Sequence, residues 1–355
     1  MNEFLRTKIK VLSFFLVVLV VFVHSYNIGV RMGTWEGQTT LGINYFLQEF
    51  FCNGFNRIAS PLFFIISGYL FFVNITGKRD DFIRKVKKRF ITLIIPYLFW
   101  SLWGILFYWI LQTLPETKML FTKGLIKEYG LQKLLNTIFL DPIPYQLWYV
   151  RDLTVFAILS PIIYLIIKYL KIYAVLFFMV MWFYDFHFVV FRSQSILFFV
   201  LGAFISTKNE WFLKPGPPHR VWIFTPFWIL ILLFKTWLVY SGSDDTLLLT
   251  TLHKIAIVFG VLSIHCIYDT LFRNVELAKK NAFKIVSFSF FLFASHEPII
   301  TVFKKGFFLM TGDGEIASFV IFLAAPMLTI LLCLLVGYYL KRLAPNFYGT
   351  ITGWR

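Results

Sequence analysis

The stretch Ile9-Lys-Val-Leu-Ser-Phe-Phe-Leu-Val-Val-Leu-Val-Val-Phe-Val-His24 decides what kind of protein this is. After Lys10 only Ser13 interrupts the apolar side chains, and a helix of that composition is at home in hydrocarbon. His24 closes the run. An ionisable ring at membrane depth is costly and marks a functional site unless it reaches the headgroups. The stretch alone leaves both readings open: an imidazole that moves protons near neutral pH, or a ring snorkelling to the interface. Arg6, Lys8 and Lys10 precede the run, which lacks a small-residue cleavage site, so it is expected to be retained as a first span.

The rest of the chain repeats the pattern. Its 355 residues are 59% hydrophobic, 21% aromatic and only 15% charged, with a mean hydropathy of +0.74. That composition excludes an ordinary soluble domain. The net charge of +16 sits in short loops between apolar runs, where membrane orientation explains it, so no nucleic acid is expected as a partner. Cys52, Cys266 and Cys333 fall in or beside apolar runs without paired spacing. They read as small packing residues, and neither a disulfide framework nor a metal site is expected.

Ten apolar segments can be marked, near 9–29, 54–74, 90–112, 147–167, 172–187, 194–206, 221–240, 247–267, 284–309 and 316–340. With ten spans and a cytoplasmic N-terminus, the inner segments hold 22 Lys and Arg residues and the outer ones eight. This asymmetry is what the positive-inside rule demands, and it places both termini in the cytoplasm. The expected fold is therefore an all-α polytopic helix bundle forming one integral-membrane domain over residues 1–355, with no fused hydrolase-like domain. The long outer connection, 113–146, alternates Lys118, Lys123, Lys127 and Lys133 with leucines and Ile126. It reads as an amphipathic surface helix, either a lid or a plain connector. Lys214-Pro-Gly-Pro-Pro-His219 reads as a stiff cytoplasmic turn.

Topology then gathers the intramembrane charges. At about 1.5 Å per residue, His24 lies roughly 20 Å along an outward-running helix, in the outer third of the bilayer. The same depth is expected for His296 and Glu297, Arg57, Arg151 and Asp152, His253 and Lys254, Lys235, and Asp185. Charges at one depth are explained most economically by a shared polar chamber opening outward, with some of them, Asp185, His253 and Lys254 first, as interfacial anchors instead.

The order of several stretches carries a resemblance. After His24 come Pro61-Leu-Phe-Phe-Ile-Ile-Ser-Gly-Tyr-Leu70 and Lys88-Arg-Phe-Ile-Thr-Leu-Ile-Ile-Pro-Tyr-Leu-Phe-Trp100, then Leu147-Trp-Tyr-Val-Arg-Asp-Leu153, Phe198-Phe-Val-Leu-Gly-Ala203 and Ser295-His-Glu-Pro298. Together they resemble the acyltransferase-3 family of bacterial membrane O-acyltransferases over nearly the whole chain. The resemblance implies an enzyme of the bacterial cytoplasmic (inner) membrane. It would move an acyl group, most often acetyl, from cytoplasmic acyl-CoA to a sugar hydroxyl of a cell-surface or exported glycan. The family's first-span histidine carries over to His24. Its basic patch, associated with the CoA phosphates, carries over to Lys85, Lys88 and Arg89. One position departs from the pattern: where many members have an arginine eleven residues before the histidine, this chain has Ser13.

The chemistry agrees with that implication. A sugar hydroxyl needs a positioned base, and neutral imidazole is the usual one, so His24 is expected as base or acyl carrier. Arg57 or Arg151 would meet the negative charge that develops on a thioester oxygen. Asp152 or Glu297 would fix the histidine tautomer. His296 and Glu297 are expected to touch the acceptor. The competing reading is an exporter or flippase of lipid-linked glycan, for which a polar cavity is also natural.

Overall fold

The computed structural model describes residues 3–32, 35–38, 42–118, 120–121, 124–207, 215–272 and 283–354. Of the charges used to orient the chain, Lys123, Lys208, Lys214, Arg273, Lys279, Lys280 and Arg355 lie outside the described residues. The architecture is helical almost throughout. In chain order it comprises α1 (Glu3–Val23), a hairpin of β1 (Gly29–Met32) and β2 (Trp35–Gln38), α2 (Ile43–Cys52), α3 (Ala59–Phe72), α4 (Arg79–Arg89) and α5 (Ile95–Thr113). There follow α6 (Leu131–Phe139), α7 (Trp148–Ile158), α8 (Ser160–Leu170), α9 (Ile172–Phe183), α10 (Ser193–Thr207) and α11 (Val221–Tyr240). The last are α12 (Thr246–Leu271), α13 (Ser289–Thr311), α14 (Glu315–Leu343) and α15 (Pro345–Thr352).

Each of the ten expected segments overlaps a helix. Among the described residues, however, five helices are long and apolar enough to cross a membrane, or six if the bent pair α7 and α8 is one span. The shortfall has physical reasons. α9, with 12 residues, is roughly 18 Å long against a hydrocarbon core of about 30 Å. α1 carries Arg6, Lys8 and Lys10, and α13 carries Glu297, Lys304 and Lys305, so neither is apolar throughout. The fourth segment is bent by 69° between Ile158 and Ser160, with Pro161 opening the second half. Among the described residues the longest helix of the outer connection is Leu131–Phe139, after a single turn at Pro115–Lys118, and its Leu131, Leu135 and Phe139 share one exposed face. The antiparallel hairpin that pairs Gly29 with Gln38 was not legible in the sequence.

The chain divides into two compact units. The first comprises Met1–Leu19, Gly54–Phe90 and Asp152–Ser287. Here α3 lies directly on α10, because two glycines let their backbones touch. A Cβ on Gly68 would strike the Phe199 carbonyl, and one on Gly202 would strike the Ile65 carbonyl. Phe156 packs beside this pair, 5.9 Å from Phe64 and 5.0 Å from Phe199 between ring centroids. At the end of α3, Lys85 of α4 donates to the carbonyls of Phe71 (2.7 Å) and Val73 (2.9 Å). Its ammonium thus satisfies oxygens that the helix itself leaves without partners.

The same unit buries an ion pair. Lys8 of α1, 1% exposed, donates to Asp269 of α12 at 2.5 Å. It also lies 2.9 Å from Nδ1 of His265, whose Nε2 is 3.3 Å from the other carboxylate oxygen. The Gly216 amide donates to that oxygen as well, at 2.9 Å. Lys8 is therefore more than an orientation charge in a cytoplasmic tail.

The second unit comprises Val20–Asn53, Ile91–Arg151 and Phe288–Arg355. α13 packs on α14, and α15 ties back to α5 through the Trp100 indole, which donates to the Ile351 carbonyl at 2.9 Å. A closed amide network follows α1. Gln48 donates to Asn27 and Asn44, both at 2.9 Å, and Ser318 donates to Asn27 at 2.6 Å. Asn27 in turn donates to the Ser318 carbonyl at 3.0 Å. Buried amides that satisfy one another in this way fix the chain three residues beyond His24. All three cysteines are buried, and the Cys52 thiol donates to the Phe22 carbonyl at 3.1 Å.

Candidate functional site

The site of the second unit is built on a defect in α13. Pro298 has no amide proton, and a residue that precedes proline is pushed out of the helical region. Glu297 accordingly adopts φ −98° and ψ 135° inside an otherwise helical segment. The Ala294 carbonyl loses the i+4 amide it would have had, and Gln146 Nε2 donates to it instead, at 3.2 Å. A broken backbone at this depth is tolerated because neighbouring side chains satisfy it.

Beside the break, the Glu297 carboxylate is buried, 1% exposed. It accepts hydrogen bonds from Tyr145 (3.1 Å) and Thr301 (2.9 Å), and Lys304 and Lys305 supply positive charge nearby. Tyr145 also meets His24, its hydroxyl lying in hydrogen-bonding contact with Nδ1. The two rings are 4.4 Å apart between centroids, and His24 Nδ1 is 3.9 Å from Glu297 Oε1. The proton order follows from donor counts. A phenol has one proton, and Tyr145 gives it to the carboxylate, so its oxygen accepts from His24. Nδ1 of His24 then carries the ring proton, and Nε2 carries the lone pair. Lys304 holds the backbone at this point by donating to the carbonyls of His24 and Tyr26. Lys305 likewise holds the Leu120 carbonyl.

His296 lies on the same side of the break. Its ring is fully buried and sits 5.2 Å from that of His24 between centroids. The structure thus brings together His24, His296 and Glu297 of the expected site. Arg151 belongs to the same unit, where it donates to the Leu140 carbonyl at 2.5 Å. Arg57 and Asp152 belong to the first unit. There Arg57 joins Lys235 and Lys254 in the electrostatic surroundings of His253, and Lys254 bonds Asp185 at 2.7 Å. Of the expected donor patch, also in the first unit, Lys85 is held by backbone carbonyls, Lys88 is exposed, and Arg89 lies over the Phe71 ring.

Tyr145, Thr301 and Lys304 were missed at the sequence level. Thr301 had a readable signal, since it stands four residues after Glu297 and so one helical turn along. Lys304 and Lys305 entered the sequence reading only as outer charges, towards the outer end of the ninth segment. Tyr145 ends the segment Pro142-Ile-Pro-Tyr145 before α7, and nothing in that composition points to Glu297.

A sequence profile described as an acyltransferase domain matches residues 7–338. The chain belongs to this family, the acyltransferase-3 family, and is a multi-pass membrane acyltransferase. Among curated proteins it is similar to the succinoglycan biosynthesis protein ExoH of Rhizobium meliloti (strain 1021). The two are 24% identical over 374 residues, covering 100% of this chain and 94% of the relative. No solved structure matches.

Proposed function

We propose that this protein is an O-acyltransferase of the bacterial cytoplasmic membrane that moves an acyl group from cytoplasmic acyl-CoA to a hydroxyl of an exported or cell-surface polysaccharide. The observation that carries the reading is the chain His24–Tyr145–Glu297. A buried carboxylate acting through a phenol holds the imidazole in one tautomer, with its basic nitrogen directed away from the relay. As the acceptor hydroxyl attacks the thioester carbon, its proton passes to His24 Nε2; the carbon–sulfur bond then breaks, and the sulfur takes that proton from His24 to leave as the CoA thiol. The positive charge that grows on the imidazole is balanced by Glu297 through Tyr145. Glu297 rather than Asp152 takes the orienting role, because Glu297 reaches His24 through one hydroxyl. Arg151, of the same unit as His24, is the cation assigned to the developing oxyanion.

Lys88 and Arg89 are assigned to the phosphates of the donor, with Lys85 holding the end of α3 beneath them. Acetyl-CoA is the proposed donor. A polysaccharide acceptor is supported by the relative named for succinoglycan biosynthesis, and an outer site is supported by the excess of basic residues in the segments assigned to the cytoplasm.

The test uses the full chain in detergent with acyl-CoA and an oligosaccharide acceptor. Free thiol should appear in proportion to acylated sugar, without any gradient or second compartment. Mass spectrometry of surface glycan from cells with and without the protein should show one acyl mass lost. Movement of glycan across sealed vesicles, with no thiol released from any acceptor, would replace this reading by the exporter.

A further inference from the structure

In the first unit α4 and α8 enclose a groove of about 550 Å³. Aromatic rings form its floor. Phe82 and Tyr164 meet edge to face, 5.6 Å apart between centroids, and the Tyr164 hydroxyl donates to the Thr76 carbonyl at 3.4 Å. Gly77, at φ +90°, lets the turn lie against the tyrosine, since a Cβ there would strike its hydroxyl. The walls are Ile83 and Val86 on one side and Pro161 and Leu165 on the other. With the Tyr164 hydroxyl committed, the remaining polar side chains of the lining are Arg79 and Lys87.

Those two cations stand apart from the other basic residues of α4. Residues 79, 83, 86 and 87 recur at helical spacing and share the face towards the groove. Arg84 is paired with Asp81 at 2.7 Å, Lys85 serves the end of α3, and Arg89 lies over Phe71. Lys88 stands about 180° round the helix from Arg79. Arg79 and Lys87 are exposed, and neither has a hydrogen bond or ion pair among the described residues. α4 leads into α5 as one helical stretch, Arg79–Thr113. Lys87 is therefore nearer the apolar span, and Arg79 is about 12 Å further out along the axis.

The lining describes its ligand. Most of the molecule must be apolar to cover the walls, and one end must be anionic to meet the cations. CoA, with several charges and an amide arm, leaves the walls uncovered. A second copy of this chain would set like charges face to face, since Lys78 to Arg89 holds seven basic residues and two acidic ones. An amphiphile from the bilayer satisfies both demands.

We propose that this groove binds an anionic glycerophospholipid, with an acyl chain along Ile83, Val86, Pro161 and Leu165 and the headgroup phosphate between Lys87 and Arg79. Basic side chains just outside a span attract anionic lipid, and the apolar walls turn that attraction into a site. The proposal does not depend on the acyl-transfer reading.

The test uses the full chain, stripped of lipid in detergent, and native mass spectrometry of the lipid it then retains. Wild type should retain dioleoylphosphatidylglycerol about 10- to 30-fold more than dioleoylphosphatidylcholine at equal concentration. Arg79→Gln combined with Lys87→Gln should bring that ratio to within about twofold of unity. Arg84→Gln, which removes a charge from another face, should leave it within about twofold of wild type. Leu165→Trp fills the groove with both cations in place and should cut phosphatidylglycerol retention about tenfold. A headgroup without chains, sn-glycerol 3-phosphate, should not compete.

Equal retention of the two lipids by wild type would overturn the proposal, and so would a double variant that keeps the wild-type preference. Competition by sn-glycerol 3-phosphate would overturn it in favour of a phosphate site that makes no use of the groove. Displacement of the lipid by acetyl-CoA would overturn it by giving the groove to the donor. If Leu165→Trp aggregates, the charge variants and the headgroup competition decide. Each of these results leaves the acyl-transfer reading standing.

Discussion

Lys8, His265 and Asp269 in the first unit and His24, His296 and Glu297 in the second are both sets of ionisable groups buried or half-buried among apolar helices. They are satisfied to different degrees. In the first set the hydrogen bonds run in a closed circuit: Lys8 donates to Asp269 and to His265, His265 approaches Asp269, and the Gly216 amide fills the second carboxylate oxygen. In the second set the circuit is open. Glu297 and Tyr145 are satisfied, but His296 Nε2 is not. The lesson is that burial of charge does not by itself mark a reaction centre. A completed network ties helices together, and an incomplete one waits for something to complete it.

The sharpest break of this comparison is His24→Ala. If the open set is the reaction centre, acyl transfer should fall about 10³- to 10⁴-fold. The protein should still elute as wild type does on size exclusion in detergent. Activity within threefold of wild type would return His24 to the interface.

The closed set calls for the opposite outcome. Lys8→Ala leaves Asp269 buried without its cation and should lower stability by about 3–5 kcal/mol, read from chemical unfolding in detergent. Lys8→Met combined with Asp269→Leu should recover most of that loss, since an apolar pair needs no partners. Turnover per folded molecule should stay near wild type in both. A variant that folds normally but has lost turnover would turn the first-unit set into a site.

Tyr145→Phe probes the link between carboxylate and imidazole. Removing the phenol oxygen should lower kcat about 10- to 100-fold, with KM for the acceptor changed little. A rise in KM with kcat unchanged would make Tyr145 a binding residue instead.

The smallest effect is expected at the donor patch. Lys88→Ala should raise KM for acyl-CoA a few-fold, as befits one exposed cation on a phosphate. Lys85→Ala should instead cost about 1 kcal/mol of stability, because its ammonium serves the carbonyls that end α3. Equal effects of both on KM would reunite them as phosphate ligands.

Pattern and chemistry made much of this legible from the chain. Apolar runs marked the long helices among the described residues, since a bilayer accepts little else. His24, His296 and Glu297 stood out because charge inside a span is rare. Gly68 and Gly202 were visible as parts of family stretches, but their purpose was not. Only the meeting of α3 with α10 shows that each opposes a backbone carbonyl.

By itself, then, the sequence determined the membrane class and the ionisable groups to suspect, because those follow from composition and local spacing, and it carried the family through the order of its stretches. Tertiary structure alone decided the partnerships. Tyr145 stands 121 residues from His24 and 152 from Glu297, and Lys8 stands 261 from Asp269. Helical periodicity relates residues three or four apart and says nothing of which helices pack together. A proton's direction depends on what lies across such a contact. Whether a buried charge closes a network or leaves it open is therefore settled only when the helices meet.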